Sequence, residues 1–137
     1  MNFAPLEEVK RLITAEPRRI EMLDWISRNE YTPCGTVACI AGWLSILAIR
    51  NQLKISEASE DWVYEAHNGL EKSLSSSQSL ANEMLEASEE ETDKLFFTSR
   101  WPNSFYTQYT RAWPDPAMRA QVVCERIDHF IKTDGKE

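Results

Sequence analysis

Cysteine, glycine, positive charge and long apolar runs are all scarce in this chain, and each scarcity excludes something. Cys34, Cys39 and Cys124 are the three cysteines of 137 residues, an odd and sparse set where a secreted disulfide scaffold needs an even and denser one. The N-terminus Met-Asn-Phe-Ala-Pro-Leu-Glu-Glu has no basic stretch leading into an apolar one, so no signal peptide is expected. Both readings predict a reduced, cytoplasmic protein. The net charge of −7 argues against binding a phosphate backbone, which takes clustered Lys and Arg. The pairs Lys10-Arg11 and Arg18-Arg19 are too small and too mixed with acid to change that, so no nucleic-acid partner is expected. The run from Val37 to Ile49 is broken only by Gly42 and Ser45. It is still shorter than the roughly 18 residues a bilayer crossing takes, so no membrane span is expected.

Metal-ligand patterns are missing as well. No Cys-x-x-Cys and no His-Glu-x-x-His occurs. Cys34 and Cys39 stand five residues apart, which on a helix separates them by about 140°. The acidic run Glu83 to Asp93 lacks the spacing and the glycine of a calcium loop and reads as a solvated helix face. No metal and no cofactor is expected.

What is present is helical punctuation. Pro5 opens a helix whose apolar positions are Leu6, Val9, Leu12 and Ile13, and Pro17 closes it. A second helix is expected from about Arg18, with Ile20, Leu23, Trp25 and Ile26 as its stripe. The apolar run that opens at Cys34 and ends near Asn51 then predicts a helix buried on all sides. Ser56 caps a further expected segment carrying Trp62, Val63 and Ala66, and the serine-rich stretch Leu70 to Ser79 reads as a linker. Leu80, Met84 and Leu85 continue helically. Ser88-Glu89-Glu90-Glu91 is a capping box ahead of Leu95, Phe96 and Phe97, which makes Ala87-Ser88 a tight turn. Trp101-Pro102 and Trp113-Pro114 bracket a short aromatic helix. Asp115-Pro116 starts the last one, amphipathic through Met118, Val122, Val123, Ile127, Phe130 and Ile131. The pattern predicts a single all-α domain over residues 1–137, a bundle of about seven helices around a central buried one.

Two places could carry function. At the start of the expected buried helix stand Cys34, Gly35, Thr36 and Cys39. A thiol just ahead of a helix meets unpaired N–H groups and the dipole, which lower its pKa, while glycine permits close backbone approach. The plainer reading of the same residues is a helix cap with a small apolar filler behind it. The second place is aromatic: Trp101, Phe105, Tyr106, Tyr109 and Trp113 would form a binding surface if exposed, and core if not. Acidic charge, many aromatic residues and no complete catalytic set favour a non-enzymatic module that binds a protein partner or small ligand. A subunit that homodimerises through its amphipathic helices is a related possibility. A cysteine-dependent hydrolase or redox sensor using Cys34 is the alternative.

Two resemblances bear on this choice. Cys34 to Ala41 superficially resembles the nucleophile segment of papain-like peptidases that cleave bacteriocin leaders, with His129-Phe130-Ile131 echoing their histidine segment. That family places a Gln before its cysteine, and here no Gln occurs before Gln52. Across most of the chain, Cys34-Gly35-Thr36-Val37-Ala38-Cys39-Ile40-Ala41-Gly42-Trp43 resembles the Cys-Gly-Thr-x-x-Cys-x-Ala-Gly-Trp signature of small bacterial and phage-encoded proteins of unknown function. Ala81 to Ala87 and Lys94-Leu95-Phe96 occupy the places of a later family segment, with Glu86 where that family has Gly. The resemblance implies a small helical domain and brings no activity with it.

Overall fold

Proline and the capping motifs set the helix boundaries, and a computed structural model shows where they fall. It describes residues 1–22, 26–28, 36–49, 54–55, 62–65, 71–73 and 78–137. Six α-helices lie among the described residues: α1 (Ala4–Ala15), α2 (Ile40–Ile49), α3 (Ser79–Leu85), α4 (Glu89–Phe96), α5 (Asn103–Ala112) and α6 (Pro116–Lys132). The body of the protein is helical, as expected. Five short strands, which the sequence did not announce, accompany it: β1 (Ile26–Arg28), β2 (Thr36–Ala38), β3 (Lys54–Ile55), β4 (Trp62–Glu65) and β5 (Glu71–Ser73). β1 and β2 pair antiparallel with Ser27 opposite Val37, and β3-β4-β5 form a second antiparallel sheet with Tyr64 opposite Lys72.

α1 buries Leu6, Val9 and Ile13, the i, i+3, i+7 stripe that faces a core. It ends at Glu16, and Pro17–Arg19 form a 3₁₀ turn. The helix expected from Arg18 is therefore corrected. After the turn, Ile20 makes an isolated parallel bridge to Ala38, the Glu21 N–H donates to the Ala38 carbonyl at 3.1 Å, and Ile26 opens β1. Leu23 and Trp25 lie outside the described residues.

The buried helix is corrected too. Thr36–Ala38 is strand, and α2 begins only at Ile40. Its first half is enclosed: Ile40, Ala41, Leu44 and Ser45 have no exposed surface and Trp43 almost none, whereas Ala48 faces solvent. Ser45 satisfies its buried hydroxyl on the Ala41 carbonyl one turn back at 3.0 Å. In the expected Ser56 helix, β4 runs instead through Trp62-Val63-Tyr64, aromatic and β-branched residues that suit a pleated surface. The expected linker carries β5 in its middle.

The second half follows the sequence closely. Glu86, at φ 52°, ends α3 in the left-handed region. Ser88 and Glu91 exchange both bonds of the capping box at the start of α4. Thr92, buried where the two helices meet, donates to Asn82 Oδ1 at 2.6 Å and accepts from Gln78 Nε2 at 3.1 Å, which clips α3 to α4. Asp115 caps α6 by accepting from the N–H groups of Ala117 and Met118. α6 then lies against α1, α4, α5 and the 3₁₀ turn and buries Ala120, Val122, Val123, Arg126, Ile127 and Phe130. The Lys10–Asp128 ion pair spans α1 and α6 at the surface.

Candidate binding cleft

Two prolines place a concavity. Pro17 stops α1 and Pro116 starts α6, and a cleft of about 430 Å³ lies between these breaks, with a mostly apolar lining. Pro17, Pro116 and Ala117 provide apolar surface, while Glu16, Arg18, Arg19 and Asp115 bring charge. The volume is in the range of small-ligand sites. Three of the four charges are already engaged. Glu16 accepts from Arg19 Nη1 at 2.8 Å, and Asp115 caps its helix. Arg18 is left exposed on the lining.

Behind the cleft the walls are held by stacked and hydrogen-bonded groups. The Arg19 guanidinium lies 4.4 Å from the centre of the Trp43 ring, and the Trp43 indole N–H donates to the Arg19 carbonyl at 2.8 Å. Glu21 is 8% exposed and accepts from the Tyr109 hydroxyl at 3.0 Å. The same hydroxyl accepts from the Met22 N–H at 2.9 Å. Arg119 Nη1 lies 3.7 Å from Glu21 Oε2 and donates to the Trp113 carbonyl at 3.1 Å. Burial pushes the Tyr109 phenol well above its ordinary pKa, with the Met22 N–H pulling the other way. Arg19 Nε and Arg119 Nε are buried without a hydrogen-bond partner among the described residues.

The residues singled out from the sequence separate into three groups. Cys34 and Gly35 lie outside the described residues. Thr36 opens β2, so the segment enters a strand rather than a helix. The premise that Cys34 sits at a helix start is corrected, because α2 begins six residues later and dipole effects fade within one turn. Cys39 takes that position instead. It is buried, and its Sγ accepts from the Gly42 N–H at 3.4 Å, the bond of an N-cap.

The aromatic set divides along the faces of α5. Trp101 and Tyr109 are core, packed edge to face at 5.4 Å, and the Trp101 indole donates to the Leu95 carbonyl at 2.8 Å. Phe105 is half-buried beside His129 at 5.2 Å. Tyr106 is 49% exposed and Trp113 45%. Seven residues apart, these two fall on one side of the helix. Of the five residues expected together as a surface, Trp101 and Tyr109 are core, and Tyr106 and Trp113 are the two that are exposed.

Among the described residues no group of three or more His, Cys, Asp or Glu is arranged to hold a metal ion. The Cys124 thiol is half-buried beside Thr14, and burial raises its pKa, the opposite of activation. No described helix is long and apolar enough to cross a membrane. Glu21, Arg119 and Arg19 were not singled out from the sequence. Their only advance signal was position: Arg119 lies at the i, i+3, i+4 spacing of the buried face of α6. No family model, no curated protein and no solved structure matches the chain.

Proposed function

We propose that the protein is a cytoplasmic, non-enzymatic helical module that binds a partner protein or small ligand, with the cleft between the 3₁₀ turn and α6 as its site. The observation that carries this reading is the lining itself. It is concave, mostly apolar and of ligand size, and it bears an exposed arginine. The Glu21–Tyr109–Arg119 cluster fixes the neighbouring main chain, which lowers the ordering cost of binding. Trp113 stands two residues before the Asp115 cap and is partly exposed. An acidic or amphipathic ligand suits Arg18 beside Pro17 and Pro116.

A thermal-shift screen of peptides and small acids tests this, with Arg18→Glu and Trp113→Ala as comparison proteins. Ligands that stabilise the natural chain should lose most of that stabilisation in Arg18→Glu, whose side chain is exposed and whose fold is intact. Ligands that stabilise all three proteins equally would place the site elsewhere. The cysteine-dependent alternative rests on Cys34 and predicts rapid alkylation below pH 8, measured residue by residue on the native protein.

A further inference from the structure

A second concavity, of about 310 Å³, lies between α5 and α6. Its exposed apolar surface comes mainly from Met118, with Ala112 and Val122, nearly buried, forming its floor, and Gln108, Arg111 and Glu125 edge it. On α5 this groove and the Tyr106–Trp113 side flank the buried stripe Phe105–Tyr109–Ala112 from opposite directions. It is therefore separate from the cleft and independent of the reading above. Met118 is 55% exposed, the most exposed of the large apolar side chains among the described residues.

The groove's charges are arranged end to end. α5 and α6 are joined by a short turn and run antiparallel, so Arg111 in the last turn of α5 stands near Met118 at the start of α6. Glu125 lies two helical turns further along α6, at the other end. Neither Arg111 nor Glu125 has an ion-pair partner among the described residues; Glu125 accepts only a neutral bond, from Gln121 Nε2 at 3.3 Å. A surface with a cation at one end, an anion at the other and apolar side chains between is complementary to itself under a two-fold rotation.

We propose that this groove is the interface of a two-fold symmetric homodimer, in which Arg111 of each copy meets Glu125 of the other across a seam centred on Met118. The α5–α6 pairs of the two copies form a four-helix layer. The apolar centre supplies the affinity, and the two crossed ion pairs set the antiparallel register.

Sedimentation equilibrium over a concentration series, with charge-reversed variants, tests this. The natural chain should show a monomer–dimer equilibrium. Arg111→Glu and Glu125→Arg should each weaken the dimer about tenfold or more, because symmetry turns two attractive contacts into two repulsive ones. The double variant R111E/E125R should recover the affinity to within about threefold, since exchanging the charges restores both contacts. Both sites of change, Arg111 and Glu125, are exposed, so the fold should be retained, and unchanged circular dichroism checks it. A natural chain that stays monomeric to millimolar concentration would overturn the proposal. So would dimers that ignore both reversals, or a double variant no better than the singles. A groove that instead takes up a different protein, with the free chain monomeric, would overturn it equally.

Discussion

Arg126 Nη2 donates to the Lys94 carbonyl at 2.8 Å, so a guanidinium with no exposed surface ties the middle of α6 to the last turn of α4. Its group centre lies 5.9 Å from the Trp101 ring and 5.6 Å from the Phe105 ring, while Nε and Nη1 have no hydrogen-bond partner among the described residues. The interaction gains a cap for α4 and two ring contacts but keeps a charge out of water.

That balance separates two substitutions. Arg126→Ala removes the packed stem and opens a cavity, and should cost about 2–4 kcal/mol in urea unfolding. Arg126→Met keeps the stem and discards the buried charge, and should fall within about 1 kcal/mol of the natural chain. Desolvation lowers the pKa of Arg126 to about 10. A base whose folded pKa is depressed carries its penalty fully below that value, and the penalty is relieved as pH rises through it. Arg126→Met should lack this alkaline relief.

Tyr109 works in the other direction over the same pH range. Burial raises its pKa, so the fold holds the neutral phenol while the unfolded chain ionises near pH 10. The stabilisation is complete below that pH and is lost as pH climbs above it. Tyr109→Phe should leave the tyrosinate absorbance of the native protein at pH 11 unchanged, because Tyr109 does not ionise until the chain unfolds. At neutral pH the same substitution removes the partner of Glu21 and of the Met22 N–H, and should cost about 1–3 kcal/mol. A large drop in native tyrosinate signal would mean that the hydroxyl is accessible.

The parts of the fold that were legible in the sequence are those with chemical punctuation. Pro5, the Ser88 capping box and Asp115-Pro116 each fix a helix start through a specific bond or a missing N–H, and all three fall where the spacing put them. The illegible parts are the apolar segments without caps. Ile20 and Ala38 satisfy both a helical and an extended pattern, and strands of two to four residues are too short to show alternation. Counting the apolar run from its first residue merged a strand with a helix. Among candidate site residues, the five aromatics were read as one set, and the structure divides them, with Trp101 and Tyr109 buried and Tyr106 and Trp113 exposed. Arg126 and Arg119 escaped notice because a charged residue on an amphipathic helix is read as solvent-facing, although both occupy buried positions.

Ser88 offers a local check. Its side chain accepts from the Glu91 N–H at 3.2 Å and donates to the Glu91 carboxylate at 2.9 Å, while its own N–H bonds the same carboxylate at 3.1 Å. The Ser88 N–H is the larger cause and the hydroxyl the second, and together they lower the Glu91 pKa. Ser88→Ala should destabilise the chain by about 1 kcal/mol. It should also move the Glu91 carboxyl part of the way back to its ordinary range in an NMR titration, since the main-chain bond remains. No movement would mean that the hydroxyl bond is not formed in solution.

The two contacts of Trp43 with Arg19 use different parts of the ring. The indole N–H reaches the main-chain carbonyl of Arg19, and the ring face carries the guanidinium. Trp43→Phe keeps an aromatic face and loses the donor and some volume, so a cost of about 1–3 kcal/mol is expected. Arg19→Ala leaves the carbonyl in place and removes the stacked cation together with its bond to Glu16, for about 1 kcal/mol. Because phenylalanine still offers a face to Arg19, the double variant should equal the sum of the singles within about 0.5 kcal/mol. Coupling well beyond that would show that the indole N–H and the stacked cation act as one unit. Trp43 would then be holding the cleft wall through Arg19 itself, and Arg19→Ala should disturb ligand binding as strongly as Arg18→Glu does.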